Sequence, residues 1–457
     1  MTATPHSSLQ IDAPQASGDQ PPSASKCFGE QFQRIRQLSL EIAAPLSVED
    51  CAMQSMPDVS PTRWHLAHTT WFFETFLLKS TSGYQAFDDS FEYLFNSYYN
   101  AIGQQFPRHR RGQISRPGLS QTIDYRTYVD ERVVQLLTSG STLTPEQETI
   151  LELGLQHEQQ HQELMLTDIK HVLFHNPLYP AYNSASVGPE AGELPCLESA
   201  NSMEWLEFPE HVAEIGFQHN GLQHNGFSFD NEMPRHRTLL LSHALSKRLV
   251  TNAEYVRFIE DGGYRRPELW LSLGWSTVQE QQWDAPLYWL RDAGEWQQYR
   301  MDGVHAMDWQ APVCHVSYFE ADAYARWSGH RLPTEFEWEA ATVANAASNA
   351  KASETARRFA DQLIAAGQVV HPRAEGPSQS ANWMGNVWQW TSSQYTAYPG
   401  YQPTSGALGE YNGKFMCNQF VLRGGSCATS SDHIRPTYRN FFPPDARWQF
   451  SGIRLAR

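Results

Sequence analysis

One helix signal constrains this sequence more than any other. It opens at Thr144 and does not stop before Asn176-Pro177. Thr144 is placed to cap it, Pro145 suits the first helical position, and Gln147 completes a capping box. The stop comes from Pro177, because the residue before a proline avoids helical backbone. Roughly thirty residues make ~45 Å of helix. Inside it lies QHEQQHQELMLTDIKH, residues 156–171. Residues three and four apart share a helix face, so His157 and His161 point the same way and Asp168 follows on nearly the same face. Two histidines at this spacing are half of a metal site. The chain then has to supply a further ligand from an element packed against that face.

Upstream, three more segments carry helical periodicity. Phe32, Ile35, Leu38 and Ile42 define a first helix over 28–46. A second starts near Pro61, with Ser60 as the expected cap. Its stripe is Trp64, Ala67, His68, Trp71, Phe72 and Phe76, with His65 on the flank. A third covers 120–138. Four helices with polar residues in their core stripes predict a bundle with a metal site inside, held by His68, His157 and His161. Between the second and third helices, Arg108, Arg110, Arg111 and Arg116 cluster around Pro and Gly. Arginines on such a loop suit bidentate carboxylate binding or a solvated basic surface. Tyr98 and Tyr99 are placed either in the core or near the metal.

His157-Glu158-Gln159-Gln160-His161 also matches HExxH, the zinc-protease pattern with Glu158 as general base. The extended pattern fails at Leu164 and Thr167, where it needs Gly and His. A zinc hydrolase therefore stands as a lesser alternative.

The net charge of -16 disfavours nucleic acid and anionic membranes as partners. No apolar run approaches the ~20 residues of a bilayer span. Residues 1–25 are polar, without a signal-peptide core, and read as a disordered tail. Six scattered cysteines without a CxxC pair fit reduced thiols and a cytoplasmic setting. After the 26–180 bundle, 181–204 reads as a linker. Residues 205–457 alternate short strands with Gly, Asn and Pro turns, helices at 252–262 and 317–328, a further helix capped by Thr334 and Glu337, and long Trp-rich loops. The fold class expected is α+β.

The phrases VSYFEADAYARWSGHRLPTEFEWEAA, GNVWQWT, LRGGS and GIRLAR resemble the sulfatase-modifying-factor (formylglycine-generating-enzyme) domain, C-type-lectin-like in topology. WHLAHTTWFFE and HEQQHQELMLTDIKH resemble the DinB-like four-helix metal-binding domain. The two in this order resemble the ergothioneine-biosynthesis sulfoxide synthases, the hercynine oxygenases. One departure separates the C-terminal domain from formylglycine-generating enzymes: CATSSDHIRPTYRN carries Cys427 after GGS but no copper-binding cysteine pair. The domain therefore resembles a substrate-binding scaffold.

The resemblance implies iron(II) on His68, His157 and His161. It implies O2 as oxidant and C–S bond formation between the thiol of cysteine or γ-glutamylcysteine and C2 of the hercynine imidazole, giving a sulfoxide. It implies that Gln160 hydrogen-bonds that imidazole and that Asn440 meets the carboxylate or ammonium end. Phe441, Phe442 or a nearby Trp would face the trimethylammonium. Arg108, Arg111 and Arg116 would take the thiol substrate's carboxylates. A tyrosine donor is implied too, Tyr98 or Tyr99 first, with Tyr395 and Tyr411 as alternatives. Asp168 would support a ligand from outside the coordination sphere. Rival readings are an ovothiol-type 5-histidylcysteine sulfoxide synthase, which commonly carries an added methyltransferase domain, and a DinB-type thiol transferase working without O2.

Overall fold

The structure is a computed structural model that describes residues 24–139, 142–183, 203–218, 226–348, 359–374, 383–404 and 406–457. Most of the expected tail and linker lies outside the described residues.

The N-terminal half is helical. It comprises α1 (Ala24–Ala43), α2 (Thr62–Phe72), the short α3 (Phe91–Phe95), α4 (Leu119–Thr138) and α5 (Pro145–Phe174). α1 and α2 each pack against both α4 and α5. The first helix begins and ends a few residues earlier than its apolar spacing implies. The α5 start is as expected: Thr144 and Gln147 exchange both capping-box hydrogen bonds. Ser60 is a correction. Pro61 occupies the α2 cap position and no side chain caps it. The Ser60 hydroxyl instead accepts from Arg111 at 2.9 Å, and its backbone N–H donates to Asp168 at 2.8 Å. α2 continues as a π-helical turn over Phe73–Leu78. That turn sits against Gly154 of α5, where a Cβ would come 2.5 Å from the Phe73 ring.

The C-terminal half holds strands β1 (Trp205–Phe208), β2 (His211–Ile215), β3 (His236–Leu240) and β4 (His243–Ser246), then helices α6 (Asn252–Glu260) and α7 (Ser272–Gln281). Strands β5 (Trp289–Asp292), β6 (Glu295–Arg300) and β7 (Gly303–Ala306) form a meander, followed by α8 (Tyr318–Trp327), α9 (Glu335–Ser348) and α10 (Ala360–Ala365). The largest sheet is built from β8 (Trp388–Gln394), β9 (Phe420–Arg423), β10 (Asn440–Phe442) and β11 (Ser451–Gly452), in the order β10-β9-β8-β11. Capping boxes at Thr251, Ser317 and Thr334 fix the starts of α6, α8 and α9. The α+β class stands. Among the described residues no helix is long and apolar enough to cross a membrane. Cys51, Cys314, Cys417 and Cys427 are free thiols.

Past its exposed first turn α5 is buried along most of its length, with the bundle holding Glu158 and the C-terminal domain holding Glu163. This places the His157–His161 face at the junction of the two halves.

Candidate metal centre

His68 of α2 meets His157 and His161 of α5, and one nitrogen from each lies within 4.8 Å of the other two. All three rings are buried. Burial is the first cause holding each imidazole below its ordinary pKa, His157 at about 3 and the others well down. They are therefore neutral near pH 7, the form that binds a metal.

For His68 and His161, hydrogen bonds fix which nitrogen is bare. His68 Nδ1 lies 2.6 Å from the Phe95 carbonyl and donates to it, leaving Nε2 as a lone pair. That lone pair faces His157 Nε2 at 3.3 Å. His161 Nδ1 is 2.8 Å from His65 Nδ1, and His65 Nε2 is 3.1 Å from Asp168. The Asp168 carboxylate accepts, so His65 carries its proton on Nε2 and accepts from His161 Nδ1–H. His161 Nε2 is left bare. Asp168 and His65 thus set the tautomer of His161, the role outer partners play around metal ligands. Three imidazole nitrogens fit a divalent transition metal.

Glu158 turns the other way. Its carboxylate binds Arg36 at 2.8 Å, Arg126 at 2.5 Å and Ser39 at 2.6 Å, fully buried between α1 and α4. Burial pushes its pKa up, but Arg126 and Arg36 outweigh that and hold it at about 2. It is a strut of the bundle and cannot reach a group held by the histidines, so the HExxH reading loses its general base.

The arginines separate. Arg111 is buried and lies 3.3 Å over the Trp64 ring, which itself stacks on His68 at 4.6 Å. It donates to Ser60 and Ser97, both neutral, and its Nε has no partner. A buried guanidinium bonded only to hydroxyls is suited to an incoming anion. Arg108 is exposed and donates to the Asp58 carbonyl; Arg116 is exposed and bonds only its neighbour's carbonyl. Neither is brought to the histidines.

Tyr99 is fully buried, its ring among Trp71, Phe72 and Phe76. Tyr98 lies 5.8 Å from Tyr411, and Tyr411 sits edge-to-face on His157 at 5.7 Å. The loop bearing Tyr411 is latched to the bundle by Glu410, which accepts from the backbone of Asn100 and Ala101 at 3.0 and 2.8 Å. Gln160 donates to Tyr438 at 2.6 Å, and its Oε1 is buried without a partner. On β10, Asn440 accepts from the Phe441 backbone. Phe441 stacks on Tyr395 and lies 5.9 Å from Phe415, which meets Tyr98. Phe442 faces Trp448.

Residues 212–457 match the sulfatase-modifying factor enzyme 1-like domain family, and residues 31–165 match the DinB superfamily. The chain belongs to the sulfatase-modifying factor enzyme 1-like family. It is 35% identical over 243 residues to a hercynine oxygenase of Mycolicibacterium thermoresistibile, covering 50% of this chain and 54% of that protein. It is 35% identical over 242 residues to a hercynine oxygenase of Mycolicibacterium smegmatis, covering 50% of this chain and 56% of that protein. It is 25% identical over 239 residues to ergothioneine biosynthesis protein 1 of Schizosaccharomyces pombe, covering 50% of this chain and 28% of that protein. The chain thus spans about half the length of these hercynine oxygenases.

In this sulfatase-modifying-factor-like chain, the GNVWQW and RGGS phrases do packing work at the domain junction. Trp388, Ser426 and Thr429 donate to the buried Glu163 carboxylate of α5 at 2.7, 2.7 and 2.8 Å. Glu163 follows His161 by two residues, so the same segment that carries metal-ready imidazoles is pinned to the C-terminal sheet. His65 lies on the flank of the α2 apolar stripe, a place that by itself announces no role. Its spacing of three before His68 on a buried helix was the available signal.

Proposed function

We propose that the protein is a non-haem iron(II), O2-dependent sulfoxide synthase of ergothioneine biosynthesis. It joins the thiol of cysteine or γ-glutamylcysteine to C2 of the hercynine imidazole. The observation that carries the reading is the convergence of three buried, neutral imidazoles on the face where a DinB-type bundle meets the C-terminal domain, in a chain whose relatives include hercynine oxygenases.

Iron on His68, His157 and His161 would supply a Lewis-acidic, redox-active centre that holds the substrate thiol as thiolate. The chain's own residues do the rest. Arg111, with Trp64 at its back, takes a carboxylate of the thiol substrate. Gln160 presents its free carbonyl oxygen to the hercynine ring. Asn440 and the rings of Phe441 and Phe442 are the candidates for the zwitterionic end, by resemblance. Tyr411 is the tyrosine in ring contact with His157 and is the better-placed proton donor, with Tyr98 behind it and Tyr99 in the core. The packed junction excludes water around the thiolate.

The test is anaerobic iron reconstitution of the full chain, followed by incubation with hercynine, each thiol and O2, with product mass measured. A hercynine–thiol sulfoxide is expected, and none from His157→Ala or His161→Ala, which lose iron. Turnover of histidine in place of hercynine would favour the ovothiol-type reaction; turnover without O2 would favour a thiol transferase.

A further inference from the structure

Gln156 and Gln160 lie one turn apart on α5. Opposite them, on the segment between β9 and β10, stand His433 and Tyr438. The four side chains form one hydrogen-bonded run. Gln160 Nε2 is 2.6 Å from the Tyr438 hydroxyl, that hydroxyl is 3.1 Å from His433 Nε2, and His433 Nδ1 is 2.7 Å from Gln156 Oε1. Gln156, His433 and Tyr438 are each at most 5% exposed.

Each link needs one hydrogen, and the inventory orders them. A carboxamide oxygen only accepts, so His433 carries its proton on Nδ1. Burial, with the Arg435 charge adding to it, keeps the ring neutral, so Nε2 is bare. The Tyr438 hydroxyl therefore donates to His433 and accepts from the Gln160 amide. What remains is Gln160 Oε1, a buried acceptor with no partner. Reversing every link would flip both glutamines and leave the Gln160 amide N–H pair buried without an acceptor. An orphaned buried N–H is the less tolerated of the two.

We propose that His433 and Tyr438 are positioning residues that lock the carbonyl oxygen of Gln160 toward the ligand. The site beside His161 thereby selects a ring N–H donor and rejects the same ring bearing an N-alkyl group. The proposal rests on the sulfoxide-synthase reading only for the identity of that ring, the hercynine imidazole. It adds the specificity element: a ligand without the N–H leaves Oε1 unpaired, a loss of roughly 10–100-fold in affinity.

Two measurements test it. The first needs no substrate. In 15N-histidine-labelled, metal-free full-length protein, His433 is expected as the Nδ1–H tautomer, and an Nε2–H tautomer would overturn the proton order. The second compares hercynine with its two ring-N-methyl isomers as ligands of the iron-loaded protein. The wild type should bind at least one isomer roughly 10–100-fold more weakly than hercynine. In Tyr438→Phe and His433→Ala that preference should collapse to within a few-fold. KM for hercynine should rise while KM for the thiol stays put, a split that general loosening would not give. Unchanged discrimination in both variants would sink the proposal. If wild-type protein ignores hercynine altogether, the functional reading fails, and the tautomer still decides the proton order.

Discussion

Replacing Glu158 by Gln separates two meanings of one motif. In a zinc hydrolase Glu158 would be the general base, and its loss would abolish turnover with the fold intact. In this structure it is a buried counter-ion for Arg36 and Arg126. Its carboxyl is held at about 2 against an ordinary 4.5. That is about 2.5 pH units at ~1.4 kcal/mol each, so the ionised form contributes ~3 kcal/mol to folding. A folded value below the unfolded one means this stability is complete above about pH 4.5 and is lost as pH falls toward 2. Glu158→Gln at pH 7 should therefore lose ~3–5 kcal/mol, the range for breaking a buried pair. The loss should sit toward the lower end, because Arg36 keeps Asp130 at 2.7 Å. The assay is urea unfolding at pH 7 and at pH 4, followed by near-UV circular dichroism. The mutant's deficit should shrink at the lower pH. A Glu158→Gln protein as stable as wild type, with no activity, would refute the strut and restore the general base.

Other consequences are directly measurable. Arg111→Met should raise KM for the thiol substrate ~10–100-fold, the worth of charge-assisted hydrogen bonds, with KM for hercynine little changed. His65→Gln should weaken iron binding ~10–100-fold in chelator competition while the far-UV spectrum holds, since it removes the partner that sets the His161 tautomer. His157 is held at about 3 by burial, below its ordinary 6.5, so protonation favours the unfolded chain. The metal-free protein should be fully stable above pH 6.5 and lose ~2 kcal/mol from this group by pH 5, read as a falling melting temperature.

The α5 start was legible because its signals are local: a threonine, a proline and a glutamine in fixed register, satisfied within one turn. The His68–His157–His161 meeting was legible because three polar residues on apolar stripes have few other places to go in a bundle. Ser60 does not cap α2 because cap propensity is a local rule, and a tertiary partner, the Arg111 guanidinium, claims its hydroxyl while the cap position falls one residue later at Pro61. The arginine loop could not be sorted from sequence. Arg108, Arg111 and Arg116 carry the same chemistry, and only packing on Trp64 singles out Arg111.

The part of the site supplied by the C-terminal domain was the least legible, and α5 explains why. A helix packed on one side announces its face by a 3.6-residue period. Past its first turn α5 is packed on several sides, and each face has a different customer. Glu158 serves Arg36 and Arg126, while His157 and His161 serve the junction with α2. Gln160 serves Tyr438, and Glu163 serves Trp388, Ser426 and Thr429. In sequence these appear as a polar run, HEQQHQE, with no period to separate ligand from strut from latch. The polar residues are affordable because most of their polar atoms meet a complementary group, with Gln160 Oε1 among the few left over. It follows that the metal helix is held in place by the C-terminal sheet as much as by the bundle that contains it.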